Sequence, residues 1–145
     1  MTRGIVYGVL GGVAGMLAMD LVMVVEFLLA QMPPTTYLRL IGSVFGGGVA
    51  LGAMVHLVVG ALPGLGLGVA AVKVKALRID TTDKGLQLGF IVGVLSIPLG
   101  CVPFAIIIDV PIMRLVAFST IPHLVWGSVL GVVLAYGLRS QGTKT

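Results

Sequence analysis

The sequence predicts an all-α integral membrane protein of four transmembrane helices, built as two tandem parallel helix pairs. Three observations predict it. Hydrophobic residues make up 58% of the 145-residue chain and charged residues only 10%, against about 45–50% and 25% in soluble domains. The stretches Leu40–Val72, Leu86–Ile108 and Leu115–Leu138 carry no Lys, Arg, Asp or Glu, and Gly4–Ala30 is broken only by Asp20 and Glu26; each meets the roughly 20 residues needed to cross about 30 Å of hydrocarbon. Lastly, His56-Leu57-Val58-Val59-Gly60 and His123-Leu124-Val125-Trp126-Gly127 share His-Leu-Val-x-Gly, and aligning them also aligns Gly64 with Gly131 and Leu67 with Leu134. The chain has only two histidines, so their match points to a duplication within one domain: a first repeat over about 5–72, a loop over 73–85, a second repeat over about 86–138 and a tail over 139–145.

The first helix is expected from about Ile5 to Leu29. Its apolar run is longer than the 7–15 residues of a signal-peptide core, and Pro33-Pro34 stops it because proline has no amide N–H to continue the ladder. An outer loop follows, with a short interfacial helix after Tyr37 and a break at Gly46-Gly47-Gly48 before a second helix over about Ala50–Val72. The second repeat reaches His123 nine residues after Arg114, whereas the first takes seventeen from Arg39, so this outer connection carries an insertion. The third helix, about Leu86–Ile108, contains Pro98 and Pro103 and should kink. Pro111 ends a short link, and a fourth helix is expected over about Phe118–Leu138.

The charges orient the chain. Arg3, Lys73, Lys75, Arg78, Lys84, Arg139 and Lys144 fall on one side and only Arg39 and Arg114 on the other, which by the positive-inside rule puts both termini and the central loop in the cytoplasm of a plasma-membrane protein. The sequence pI of about 9.7 has the same origin. The basic loop is short and lacks stacking aromatics, so a nucleic-acid partner is not expected. Cys101 is the only cysteine and reads as a packing thiol.

Two rows of small residues at four-residue spacing, Gly52-His56-Gly60-Gly64-Gly68 and Ser119-His123-Gly127-Gly131-Ala135, allow close backbone approach. They are expected to pack the second and fourth helices together around Gly60, Gly64, Gly127 and Gly131. Gly8, Gly12 and Gly15 bring in the first helix.

The candidate polar cluster is Asp20, Glu26, His56, Asp109 and His123, all in the outer half of the spans. On the first helix Met16, Met19, Asp20, Met23, Glu26 and Phe27 share an arc of about 120°. That face should turn inward, because a mid-membrane aspartate costs about 2.5–3.5 kcal/mol to insert. His56 is the partner nearest in depth to Asp20, and Arg39 or Arg114 is placed to reach Glu26 or Asp109. A methionine stripe is ordinarily packing and not a copper site.

Three uses of these groups compete. The first is a structural hydrogen-bonding role in a non-catalytic accessory subunit of a membrane assembly. The second is an oligomeric proton, ion or small-solute transporter working through Asp20, Glu26, His56 and His123. The third is a b-type haem or a two-His-one-carboxylate metal held by His56, His123 and Asp20 or Glu26. No nucleophile elbow, P-loop or zinc-protease helix is present, so no catalytic residue is assigned and no resident cofactor is expected. The expected partners are the bilayer and either further copies of this chain or other membrane subunits.

The first helix ending in a carboxylate and a proline loop, and the two helices opening on His-Leu-Val-x-Gly-x-x-x-Gly, resemble a set of small four-helix membrane proteins of archaea and bacteria grouped as a domain of unknown function. The resemblance spans about Gly8–Tyr136. It implies a prokaryotic plasma membrane and transfers no catalytic residue. The unequal spacing to the two histidines departs from a strict repeat and puts the equivalence of the halves in doubt.

Overall fold

The structure, a computed structural model, describes residues 1–139; the terminal segment with Lys144 lies outside them. The described residues form α1 (Thr2–Leu29), α2 (Thr36–Val44), α3 (Val49–Lys73), a 3₁₀ turn (Lys75–Leu77), α4 (Thr82–Ser96), a π-helical segment (Ile97–Cys101), α5 (Val102–Ile107) and α6 (Ile112–Arg139). They are all helical or loop. Four stretches, α1, α3, α4 continued through α5, and α6, are long and apolar enough to cross a membrane. Large apolar side chains such as Leu21, Leu29, Leu99 and Ile106 point outward from these helices.

Local chemistry sets the ends. Gln31 turns left-handed (φ 55°) after α1, and the Met32 N–H reaches back to the Phe27 carbonyl at 2.8 Å, closing the last turn ahead of Pro33. Asp109 does the same after α5 (φ 52°), with the Val110 N–H on the Ala105 carbonyl at 3.1 Å ahead of Pro111. Thr81 caps α4 by accepting from the Lys84 N–H at 3.1 Å, and Arg139 at the end of α6 bonds Thr82. Pro98 and Pro103 act as more than a kink: Pro98 is the second residue of the π-helical segment and Pro103 follows it by two residues, and a π-bulge of this kind shifts the register of the third long helix.

The helices lie in the order α3, α1, α6, α4, each antiparallel to its neighbour. The expected pairing of the second and fourth spans is therefore wrong: α3 and α6 scarcely touch. Their glycine rows instead meet glycines of the helix preceding each. Gly60, Gly64 and Gly68 of α3 face Gly12, Gly8 and Gly4 of α1, and Gly127 and Gly131 of α6 face Gly89 and Gly85 of α4. The two contacts share one register, since Gly8 opposes Gly64 two turns after His56 and Gly85 opposes Gly131 two turns after His123. Where the series continues, Met16 stands against Gly60 but Gly93 stands against Gly127, so the second pair is glycine-on-glycine for one turn more. Gly52 serves a third contact, with the Leu38 carbonyl and Gly42 of α2.

The central seam joins α1 to α6. Gly11 and Gly15 let Leu130 and Trp126 lie directly on α1, and Leu130 and Leu134 are fully buried. The Trp126 Nε1–H donates to the Gly12 carbonyl at 3.1 Å, so the one tryptophan is both packed and satisfied. Met16, Met19, Met23 and Phe27 are buried on the same side of α1, which turns the methionine face inward.

Antiparallel packing gathers Arg3, Lys73, Lys75, Arg78, Lys84 and Arg139 at one end of the bundle. Arg39 and Arg114 lie at the other, with α2 and Pro111. Arg3, Lys73, Lys75 and Arg78 line a recess of about 360 Å³ at the basic end.

Candidate functional site

At the end opposite the basic recess, α1, α2 and α3 close on a polar cluster. The Asp20 carboxylate Oδ1 accepts from the Tyr37 hydroxyl at 3.1 Å and lies 3.0 Å from His56 Nδ1. Among the described residues Nδ1 makes no hydrogen bond; the two groups are in close contact, with the His56 side chain 9% exposed and that of Asp20 25%. Tyr37 also packs edge-on against His56, with ring centroids 5.7 Å apart, and tilts against Phe27 at 5.7 Å. Phe27 in turn meets Phe118 of α6 at 5.9 Å. Burial and the neighbouring Asp20 charge hold the Tyr37 phenol protonated well above its ordinary range, so it acts as a fixed donor.

The sequence placed Asp20 beside His56 and missed Tyr37. Tyr37 sits on α2, outside every span, so span-by-span depth matching passes over it. Its only sequence signal is an aromatic at the membrane interface one turn after Pro33-Pro34. The remaining members of the expected cluster are dispersed. Glu26 Oε2 is buried without a hydrogen-bond partner among the described residues. Asp109 is occupied as the left-handed residue before Pro111, and, among the described residues, neither Arg39 nor Arg114 pairs with it or with Glu26.

The second histidine does something different. His123 Nδ1 is 2.7 Å from the Ser119 carbonyl. A carbonyl only accepts, so Nδ1 is the donor, and in a neutral imidazole Nε2 is then the acceptor. By the glycine register, the position matching Asp20 in the second half is Ile97, the first residue of the π-helical segment, so no carboxylate stands ready for His123. It lines a cleft of about 490 Å³ between α3 and the α4–π segment, with Met16, Met19 and Trp126 forming the floor. His56 is not part of that lining. The two-His-one-carboxylate set of His56, His123 and Asp20 or Glu26 is not assembled, and among the described residues no three His, Cys, Asp or Glu side chains converge. Cys101 is buried.

Fold and site together define a four-helix bundle of membrane-spanning length with a polar clasp at one end. The chain belongs to a family of unknown function, DUF6789, which it matches over residues 2–145. No curated protein and no solved structure matches it.

Proposed function

We propose that this is a multi-pass protein of a prokaryotic plasma membrane, with both termini cytoplasmic, that acts without chemistry of its own as a structural subunit of a membrane assembly. One observation carries the reading: Asp20, the most costly group to insert, is taken up by Tyr37 and His56 of the same chain. Toward the basic end, α1 and α3 then meet backbone to backbone at Gly12, Gly8 and Gly4. A transport route through Asp20 and His56 along that seam would need polar side chains or space where glycine backbones touch. The clasp serves instead to pin α2 across α1 and α3.

An internal duplication accounts for the architecture. Supporting it are the shared His-Leu-Val-x-Gly pattern, the common register of Gly8/Gly64 and Gly85/Gly131, and the left-handed residues Gln31 and Asp109 two positions before a proline. The basic end matches the cytoplasmic side by the positive-inside rule. Asp20→Asn separates structural support from transport. In liposomes with an imposed pH gradient, the wild-type protein should leak protons no faster than protein-free vesicles, and the variant should melt earlier in detergent. A pH-dependent flux that Asp20→Asn abolishes, with melting unchanged, would overturn the reading.

A further inference from the structure

The two histidines share a motif but not a role, and the cleft beside the second has features the structural role of the clasp does not use. The α1–α6 seam has no counterpart between α3 and α4, which do not pack on each other. The cleft occupies that place, and Val59, Leu95 and Leu99 at its sides are more than half exposed, so it opens laterally between the helices. Its volume, about 490 Å³, lies within the roughly 300–1,000 Å³ of small-molecule sites.

Its polar groups are few and of one kind. With Nδ1–H committed to the Ser119 carbonyl, Nε2 of the neutral His123 ring is the acceptor, and among the described residues no hydrogen bond reaches it. The Ser96 hydroxyl spends its proton on the Gly93 carbonyl at 2.7 Å, which leaves only lone pairs. Pro63, inside α3, removes the N–H that would have taken the Val59 carbonyl one turn earlier, and both residues line the cleft. A ligand complementary to these groups donates a hydrogen bond. A metal cation would also suit acceptors, but no carboxylate lines the cleft to neutralise it, and an uncompensated charge in apolar surroundings is costly. The Trp126 indole and the thioethers of Met16 and Met19 favour an aromatic ring over a plain alkyl chain.

We propose that this cleft binds a lipid-soluble phenol or hydroquinone, its hydroxyl donating to His123 Nε2 and its ring lying on Trp126 and the two methionines. The inference is independent of the accessory role, since a structural subunit and a free-standing protein would present the same cleft.

The test uses the full chain in nanodiscs and the emission of Trp126, the only tryptophan. The probes are 3-bromo-5-decylphenol and 1-bromo-3-decylbenzene, whose bromine quenches indole on contact. Wild type should show saturable quenching by the phenol, about tenfold tighter than by the benzene, the scale of one hydrogen bond in an apolar site. His123→Leu should erase that preference while retaining weak binding of both, and His123→Gln, which keeps a side-chain acceptor, should restore part of it. Val92→Phe, which fills the cleft from α4, should abolish quenching by both. Equal quenching of wild type by the two probes would mean that lipid chains simply occupy the gap. That result, the absence of saturation, or a preference that survives in His123→Leu would overturn the proposal. The wild-type comparison decides the matter even if a variant fails to fold.

Discussion

Gly127→Ala and Gly66→Ala make the same chemical change on two helices of similar composition, and the structure gives them opposite signs. A Cβ on Gly127 would lie 2.9 Å from both Cα and N of Gly93 and nearer still to the Gly89 carbonyl oxygen. All three are backbone atoms with no rotamer to escape into. Restoring an ordinary carbon contact of about 3.5–4.0 Å requires α4 and α6 to part by about 0.6–1 Å, and a gap of that size forfeits a quarter to a half of each van der Waals well along the seam. Overpacking of this kind costs about 1–3 kcal/mol, offset by the gain of up to about 1 kcal/mol in helix propensity from replacing glycine. With the full offset the expected net is a loss of about 0–2 kcal/mol. At Gly66 a Cβ meets nothing within 4 Å, so only the propensity gain remains. Equilibrium unfolding in mixed micelles, followed by circular dichroism, should therefore rank Gly66→Ala at or above wild type and Gly127→Ala below it. Equal stability of the two variants would refute backbone-to-backbone packing of α4 on α6.

Tyr37→Phe should lower stability by about 1 kcal/mol, the net worth of one hydrogen bond, and speed amide exchange in α2 more than elsewhere. It should also remove a pH dependence. The folded Tyr37 phenol is held above its ordinary value, so its contribution is complete below about pH 10 and fades as pH rises beyond that; wild type should lose stability there and Tyr37→Phe should not, as read by melting between pH 8 and 12. Trp126→Phe removes the indole bond to the Gly12 carbonyl and part of the ring volume from the buried α1–α6 seam, and should cost about 1–3 kcal/mol in the same unfolding assay, more than a surface aromatic change such as Tyr136→Phe.

Much of the fold was legible because apolar runs and prolines are local signals. The four helices of membrane-spanning length, the break at Gly46-Gly47-Gly48 and the stops before Pro33 and Pro111 all follow from backbone chemistry a few residues wide. Helix pairing is not local. A glycine row tells how closely a partner can approach but not which partner comes, and the rows of α3 and α6 fit each other as well on paper as they fit α1 and α4. The missing signal was the matching series Gly4-Gly8-Gly12 and Gly85-Gly89-Gly93, together with the tendency of consecutive elements to lie side by side. Pro98 and Pro103 announced a distortion but not its form, because a π-helical insertion changes register without changing composition. The Asp20–His56 contact could be found by depth alone. Tyr37 could not, since it comes from a helix that crosses nothing, and the divergence of His123 from His56 became visible only once the register placed Ile97 where the first half has Asp20.

The account stands most directly on what the protein is bound to in its own membrane. Native mass spectrometry after extraction in mild detergent reports partner chains, copy number and bound small molecules in one spectrum. A structural subunit should appear within a complex that contains other polypeptides. The chain released alone or only as copies of itself, under conditions that keep other membrane complexes of the same extract intact, would contradict that role.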